Sequence, residues 1–294
     1  MPISTSNRLF VFGLGYSATV FAERCRARGW RVAGTARESA RTAALKVRGI
    51  EAHLFDGIRP LADWSAALAG ATHILSSIPP GATGDPVLGL HGRDLAAVES
   101  VVWVGYLSTT GVYGDRAGGA VDEMSPLLPT SDRARHRVEA ERQWLAWQRA
   151  RGLPVHLFRL AGIYGPGRSA LDTVRAGQAK RIDLPGHVFS RIHVDDIATV
   201  LEASIARPDP GAVYNVCDDR PAPAEEVIAY ACRLLGVAPP PLVSLAAAGL
   251  APMAASFYRD NKRVANGRIK RELGVTLRYP DYRSGLDAIL KAAG

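Results

Sequence analysis

Short apolar runs alternate, along the first half of the chain, with segments whose apolar residues recur at helical spacing. "RLFVFG" (8–13), "WRVAGT" (30–35), "EAHLFD" (51–56), "ATHILSSI" (71–78), "SVVWVGYLS" (100–108) and "PVHLFRLA" (154–161) are the runs. Runs this short, apolar on successive positions, are the pattern of strands buried on both faces. Between them the spacing predicts helices over about 16–28, ending at Gly29, and over about 38–47, ending near Gly49. A short helix is expected in "PLADWSAALAG" and a long one over about 131–151, where Ser131 or Asp132 can cap the start. Strands that alternate with helices predict an α/β fold, a Rossmann-type doubly wound parallel sheet. After Ala161 the texture changes: "GIYGPGRSALDTVRAGQ" and "APPPLVSL" are rich in Gly and Pro. The expected division is a sheet domain over 1–161, completed by parts of 187–217, and a smaller interleaved lobe over 162–294.

The first strand runs into "GLGYSA", which sets Gly13, Gly15 and Ala18 in a Gly-x-Gly-x-x-Ala pattern ahead of the first helix. The first glycine permits a tight turn, the second lets the backbone approach a pyrophosphate, and Ala18 keeps the helix close to the sheet. Tyr16 and Ser17 then stand at a helix N-terminus that faces the anion. Residues 1–161 therefore read as a dinucleotide-binding domain and the lobe as the substrate-binding part. The second strand ends in "GTARES", with Thr35 and Arg37 where a ribose-binding acid would stand in an NAD enzyme. A guanidinium suits a 2′-phosphate, so NADP is favoured; Glu38 keeps NAD as the alternative. Asp56 can accept from the adenine amino group, and Ser77 lies at the carboxyl edge of the fourth strand.

The net charge of +8 comes mostly from arginine and suits a small anionic ligand. The arginines are scattered, without a basic stripe or aromatic platform, so nucleic acid is not expected as a partner. Three cysteines without metal-ligand spacing argue against a disulfide frame or a zinc site, and no metal is expected. The start lacks the charged and apolar regions of a signal peptide, and the apolar stretch "LVSLAAAGLAPMAASF" is short and broken by Pro252. A cytoplasmic protein without membrane contact is expected, as monomer or homodimer.

With these motifs in order, the sequence resembles the extended branch of the short-chain dehydrogenases/reductases, the nucleotide-sugar epimerases and dehydratases. "GLGYSA", "LSTTGVYGD" (107–115), "RLAGIYGPGR" (159–168), "RIHVDDIA" (191–198) and "VYNVCDDRPAPAEEVI" (213–228) carry the likeness, which spans nearly the whole chain. The resemblance implies a Ser or Thr, matched by Thr109, and a Tyr-x-x-x-Lys pair on the following helix. Counted back from Glu141, which resembles the branch's recurring glutamate, the pair's positions read Arg133 and Arg137. The acidic pair of the 4,6-dehydratases is replaced by Thr110 and Gly111. What the chain resembles best is the branch's atypical group, which keeps the cofactor motif and lacks the Tyr and Lys.

A guanidinium stays protonated at any working pH and cannot act as the phenol does. Arg137 can still stand by a cofactor ribose, and Arg133 by a bound anion. Tyr113, Tyr164 and His193 remain as groups that could restore proton transfer. Arg168 and Arg191 are the expected substrate-anion ligands, with His193 on the same strand face as Arg191. Two function classes follow. One is an NADP-dependent oxidoreductase or epimerase acting on a nucleotide-sugar-like or other anionic substrate through an altered proton relay. The other is a non-catalytic dinucleotide-binding sensor or interaction protein.

Overall fold

In a computed structural model, residues 7–293 are described. The strands are β1 (Arg8–Phe12), β2 (Arg31–Ala36), β3 (Glu51–Leu54), β4 (His73–Ser76), β5 (Trp103–Thr109), β6 (Ala120–Val121), β7 (Val155–Leu160), β8 (Gly162–Tyr164), β9 (Arg181–Asp183), β10 (Arg191–His193), β11 (Val213–Val216), β12 (Leu242–Ser244) and β13 (Arg263–Val264). The helices are α1 (Tyr16–Ala27), α2 (Ser39–Val47), α3 (Trp64–Leu68), α4 (Pro86–Ala97), α5 (Asp132–Arg151), α6 (Ala170–Arg175), α7 (Val194–Ala206), α8 (Ala224–Leu234), α9 (Pro252–Ser256), α10 (Gly267–Leu273) and α11 (Tyr282–Ala293).

Seven strands form one sheet in the order β11-β7-β5-β4-β1-β2-β3. Register is parallel: Leu9 sits between Val32 and His73, and Leu75 faces Gly105. The expected doubly wound sheet is present. The strand order reverses between β1 and β4, and such a reversal opens a crevice at the carboxyl ends of the strands.

Between β1 and β7, one helix was not legible in the hydrophobic pattern. α4 lies between β4 and β5, and Gly92 interrupts its buried face. Its start signal is nonetheless there: Asp85 caps the first turn through Val87 and Leu88, and Pro86 follows at the first helical position. Gly92 is needed for packing, since a Cβ there would lie 2.7 Å from the Trp147 ring of α5. Trp144, one turn earlier, is fully buried and donates its indole N–H to Asp85 at 3.0 Å.

The chain divides into two compact units. Among the described residues the first comprises 7–109, 132–159 and 200–214, and its core joins Phe10, Phe12, Val104, Tyr106, Trp144 and Leu157. The second comprises 110–131, 160–199 and 215–293, with a separate core around Tyr164, Leu171, Val227, Tyr282 and Leu286. Residues 110–131 thus pack with the second unit, not with the sheet domain to which the sequence had joined them. The reason is pairing: β6 in that segment takes β13 as its partner, Val121 beside Val264.

Candidate functional site

In the first unit, β1 ends in a turn built by Gly13 at φ +87°, a left-handed conformation that favours glycine. A Cβ on Gly13 would stand 2.8 Å from Ile78 and 3.1 Å from Ser77, so this turn sits directly against the end of β4. Ser77 donates its hydroxyl to the Gly13 carbonyl at 2.5 Å. Thr35 is fully buried and accepts from the Gly13 amide at 2.9 Å, while its carbonyl accepts from Leu14 at 2.8 Å. Thr35 and Ser77, expected as direct ligands, act here as the two braces of the glycine turn.

Gly15 is different. It is exposed, caps α1 without a side-chain bond, and a Cβ added to it meets nothing within 4 Å. A cradle open at the second glycine, over an uncapped helix N-terminus that begins with Tyr16 and Ser17, fits a pyrophosphate. Ala18 is buried against the sheet, as expected of the third position of the pattern. Gly34 is a glycine that the motif did not announce. A Cβ there would lie 2.6 Å from the Val11 carbonyl and 2.8 Å from Leu14, so the loop can fold over β2 only if that position is bare.

Around this turn, Arg37 is exposed just beyond β2. Arg41, one helical turn on, reaches back over the loop to Thr19 Oγ1 at 3.4 Å and the Leu14 carbonyl at 3.5 Å. Sequence reasoning missed Arg41; its i+4 spacing from Arg37 is the signal that could have found it. Asp56 is already engaged: Oδ1 accepts from the Ile58 and Arg59 amides at 2.8 and 2.9 Å, and Oδ2 from the Arg59 side chain at 3.1 Å. These bonds pull its carboxyl down to about 2, the Arg59 amide contributing most, so it is a permanent anion.

On α5, Glu141 is 2% exposed and pairs with Arg159 of β7 at 2.8 Å, with a further short hydrogen bond from Ser108. One turn earlier, Arg137 donates from Nη1 to the Leu107 carbonyl at 2.6 Å and to the Tyr106 hydroxyl at 3.2 Å. Arg137 is therefore held at the carboxyl end of β5, the strand that ends in half-buried Thr109. Arg133, a further turn back, is exposed. Tyr106 is no proton donor: burial raises its phenol well above the usual range.

In the second unit the remaining candidates separate. Tyr113 is fully buried and gives its hydroxyl to Asn215 at 2.7 Å, which corrects the expectation of a chemical role: the side chain packs a turn. His193 is also buried, its Nδ1 accepting from the Asp195 amide at 3.1 Å, between the rings of Tyr164 and Tyr279. It does not reach the cavity that Tyr164, Arg168 and Arg191 line, which corrects its placement beside Arg191 at the substrate. The Tyr164 hydroxyl donates to the Asp281 carbonyl at 3.2 Å, and burial raises its phenol far above neutrality. Among the described residues no cluster of His, Cys, Asp and Glu could hold a metal ion, and no helix is long and apolar enough to cross a membrane.

A family model described as the NAD dependent epimerase/dehydratase family matches residues 93–217. That span leaves the glycine turn outside, so the cradle is an independent observation. A solved structure from Silicibacter pomeroyi, a conserved protein of unknown function, is 52% identical, with 97% of this chain and 99% of that one covered and a TM-score of 0.90. Protein YeeZ of Escherichia coli is 29% identical, with 93% of this chain and 97% of that protein covered. A UDP-glucuronic acid 4-epimerase from Bacillus cereus, solved with UDP-glucuronic acid and NAD, shares 14% identity and the fold, with a TM-score of 0.77 over 98% of this chain and 100% of that one.

Proposed function

We propose that the chain is an NADP-dependent oxidoreductase or epimerase of the NAD(P)-dependent epimerase/dehydratase kind, with an altered proton relay. Its substrate is a small anion of the nucleotide-sugar kind. The observation that carries this reading is the register of α5. The buried Glu141–Arg159 pair fixes which face of the helix meets β5, and Arg137, one turn away, is held at the Leu107 carbonyl, which supports reading it in the place of the family's lysine.

In this reading Gly13 and Gly15 let the backbone meet the pyrophosphate, and the amides of Tyr16 and Ser17 bind it. Arg37 and Arg41 hold the 2′-phosphate; Asp56 takes the adenine amino group. Arg137 bonds the ribose with the donors that the Leu107 carbonyl and Tyr106 leave over, and Thr109 bonds the substrate hydroxyl that reacts. When bound, NADP supplies hydride transfer. Neither Arg133 nor Arg137 exchanges a proton, so each acts as fixed positive charge that stabilises an oxyanion or a carboxylate. The proton is carried by the substrate or by water bonded to Thr109. Within the second unit, Arg168 and Arg191 are the groups suited to hold an anion, in the cavity beside Tyr164.

The absent phenol favours a second reading, a sensor that binds the dinucleotide without turnover. A structure with NADP bound tests the first reading: Arg137 within hydrogen-bond distance of the nicotinamide ribose is expected. Arg137 pointing to solvent, with a tyrosine on the nicotinamide, would overturn it. Reduction of bound NADP by no nucleotide sugar or other anionic alcohol tried would favour the sensor.

A further inference from the structure

The cavity of the second unit has a volume of about 1050 Å³. Among its lining side chains, Arg168, Lys180 and Arg191 are cationic, and Tyr164 and Tyr258 are phenolic. Arg191 is the most constrained of the cations. Its Nη1 donates to the carbonyls of Phe189 and Ala222, both at 2.9 Å, and the guanidinium lies over the Phe189 ring at 5.7 Å. Carbonyls orient a guanidinium without cancelling its charge.

Asp218 is tied through the backbone to the strand of Arg191. Its amide donates to the Arg191 carbonyl at 2.7 Å, which ties the end of β11 to β10. The residue is 1% exposed, and Oδ2 has no hydrogen-bond partner among the described residues. Oδ1 accepts only a long bond, 3.3 Å, from the Arg220 amide. A carboxylate buried with so few donors is costly, whereas the neutral acid is tolerated. Burial outweighs the pull of Arg191 and pushes the carboxyl up to about 8. The other ionisable groups that face the pair are Asp219 beside it and Asp281 ahead of α11, both acids that oppose ionisation of the carboxyl, and the phenols of Tyr164, Tyr258 and Tyr282 near the guanidinium.

We infer that Asp218 is a positioning residue that sets the anion affinity of this cavity through Arg191. As the neutral acid it leaves the guanidinium charge to the ligand; as the carboxylate it competes with the ligand for that charge. The inference rests on the reading of the cavity as the substrate-anion site. By linkage, an anion that binds better to the protonated form must in turn favour protonation of Asp218.

Sulfate, a dianion across the whole range, is the probe, titrated by calorimetry into the intact protein at pH 6.5 and pH 9.5. The wild type is expected to bind about tenfold more tightly at pH 6.5, and Asp218→Asn to bind at both pH values with the affinity of the acid limb. Affinity that depends on Arg191, as shown by loss in Arg191→Gln, but is flat with pH overturns the inference alone. No sulfate binding at any pH, or equal binding by Arg191→Gln, overturns the cavity reading and the inference with it. The carboxyl ¹³C resonance of Asp218 in the wild type gives a readout that needs no foldable variant. Saturating sulfate is expected to raise its midpoint by about one pH unit, the same tenfold factor, and an unmoved midpoint overturns the inference.

Discussion

Glu141 and Arg159 meet at 2.8 Å in an ion pair that is nearly sealed from solvent, the side chains 3% and 6% exposed. The pair joins α5 to β7, and Ser108 of β5 bonds the same carboxylate. Three elements of the first unit are thereby keyed to one carboxyl group. The helical repeat carries that register back one turn to Arg137, and so to the carbonyl of Leu107.

Removing one partner of this pair should be far more damaging than removing both. Glu141→Ala leaves a buried guanidinium uncompensated and is expected to cost about 3–5 kcal/mol, whereas Glu141→Met with Arg159→Met should recover much of it. Urea denaturation of both variants measures the difference. Equal losses would mean that the pair does not set the register.

Gly15 and Gly34 should separate binding from folding. Gly15→Val places a side chain in the space that the pyrophosphate needs, so NADPH binding is expected to fall at least a hundredfold while Tm stays within a few degrees of wild type. Gly34→Ala drives a Cβ onto the Val11 carbonyl and is expected to cost about 1–3 kcal/mol of stability, by overpacking. Thermal melts and fluorescence titrations of both variants check the pair of outcomes.

NADPH should bind more tightly than NADH. Each charge-assisted hydrogen bond to the 2′-phosphate contributes about 1.5–3 kcal/mol, so Arg37→Ala is expected to weaken NADPH by at least tenfold and leave NADH nearly unchanged. Arg41→Ala should do the same. Equal affinities for the two cofactors in the wild type, unchanged by either variant, would return the assignment to NAD.

Burial holds the His73 imidazole down at about 4, from an ordinary value of 6.5. Between those values the unfolded chain takes up a proton that the folded one refuses, so stability falls as pH drops from about 6.5 to about 4. The slope is at most about 1.4 kcal/mol per pH unit, and it vanishes for this group above pH 6.5. His73→Phe keeps an aromatic ring beside Trp30, whose centroid lies 4.6 Å away. Its stability curve should be flatter than the wild type's by that amount across the same window; parallel curves would refute the assignment.

The sequence by itself determined the doubly wound sheet and the place of the glycine turn, because both are local. Apolar runs mark buried strands, and Gly13, Gly15 and Ala18 are spaced by the geometry of one turn and one helix. It also determined that positions 133 and 137 are arginines, since a resemblance fixes residues by count. Tertiary packing decided the rest. α4 was hidden because Gly92, on its buried face, answers to Trp147, a residue of another helix. Tyr113 and His193 left the list of reacting groups because burial, which no local pattern shows, closed them in. Thr35 and Ser77 became braces of the Gly13 turn only when β2 and β4 were set on either side of β1. Arg137 gained its place because Glu141 found Arg159, 18 positions along the chain, and hydrogen bonds at that separation are written in the fold alone.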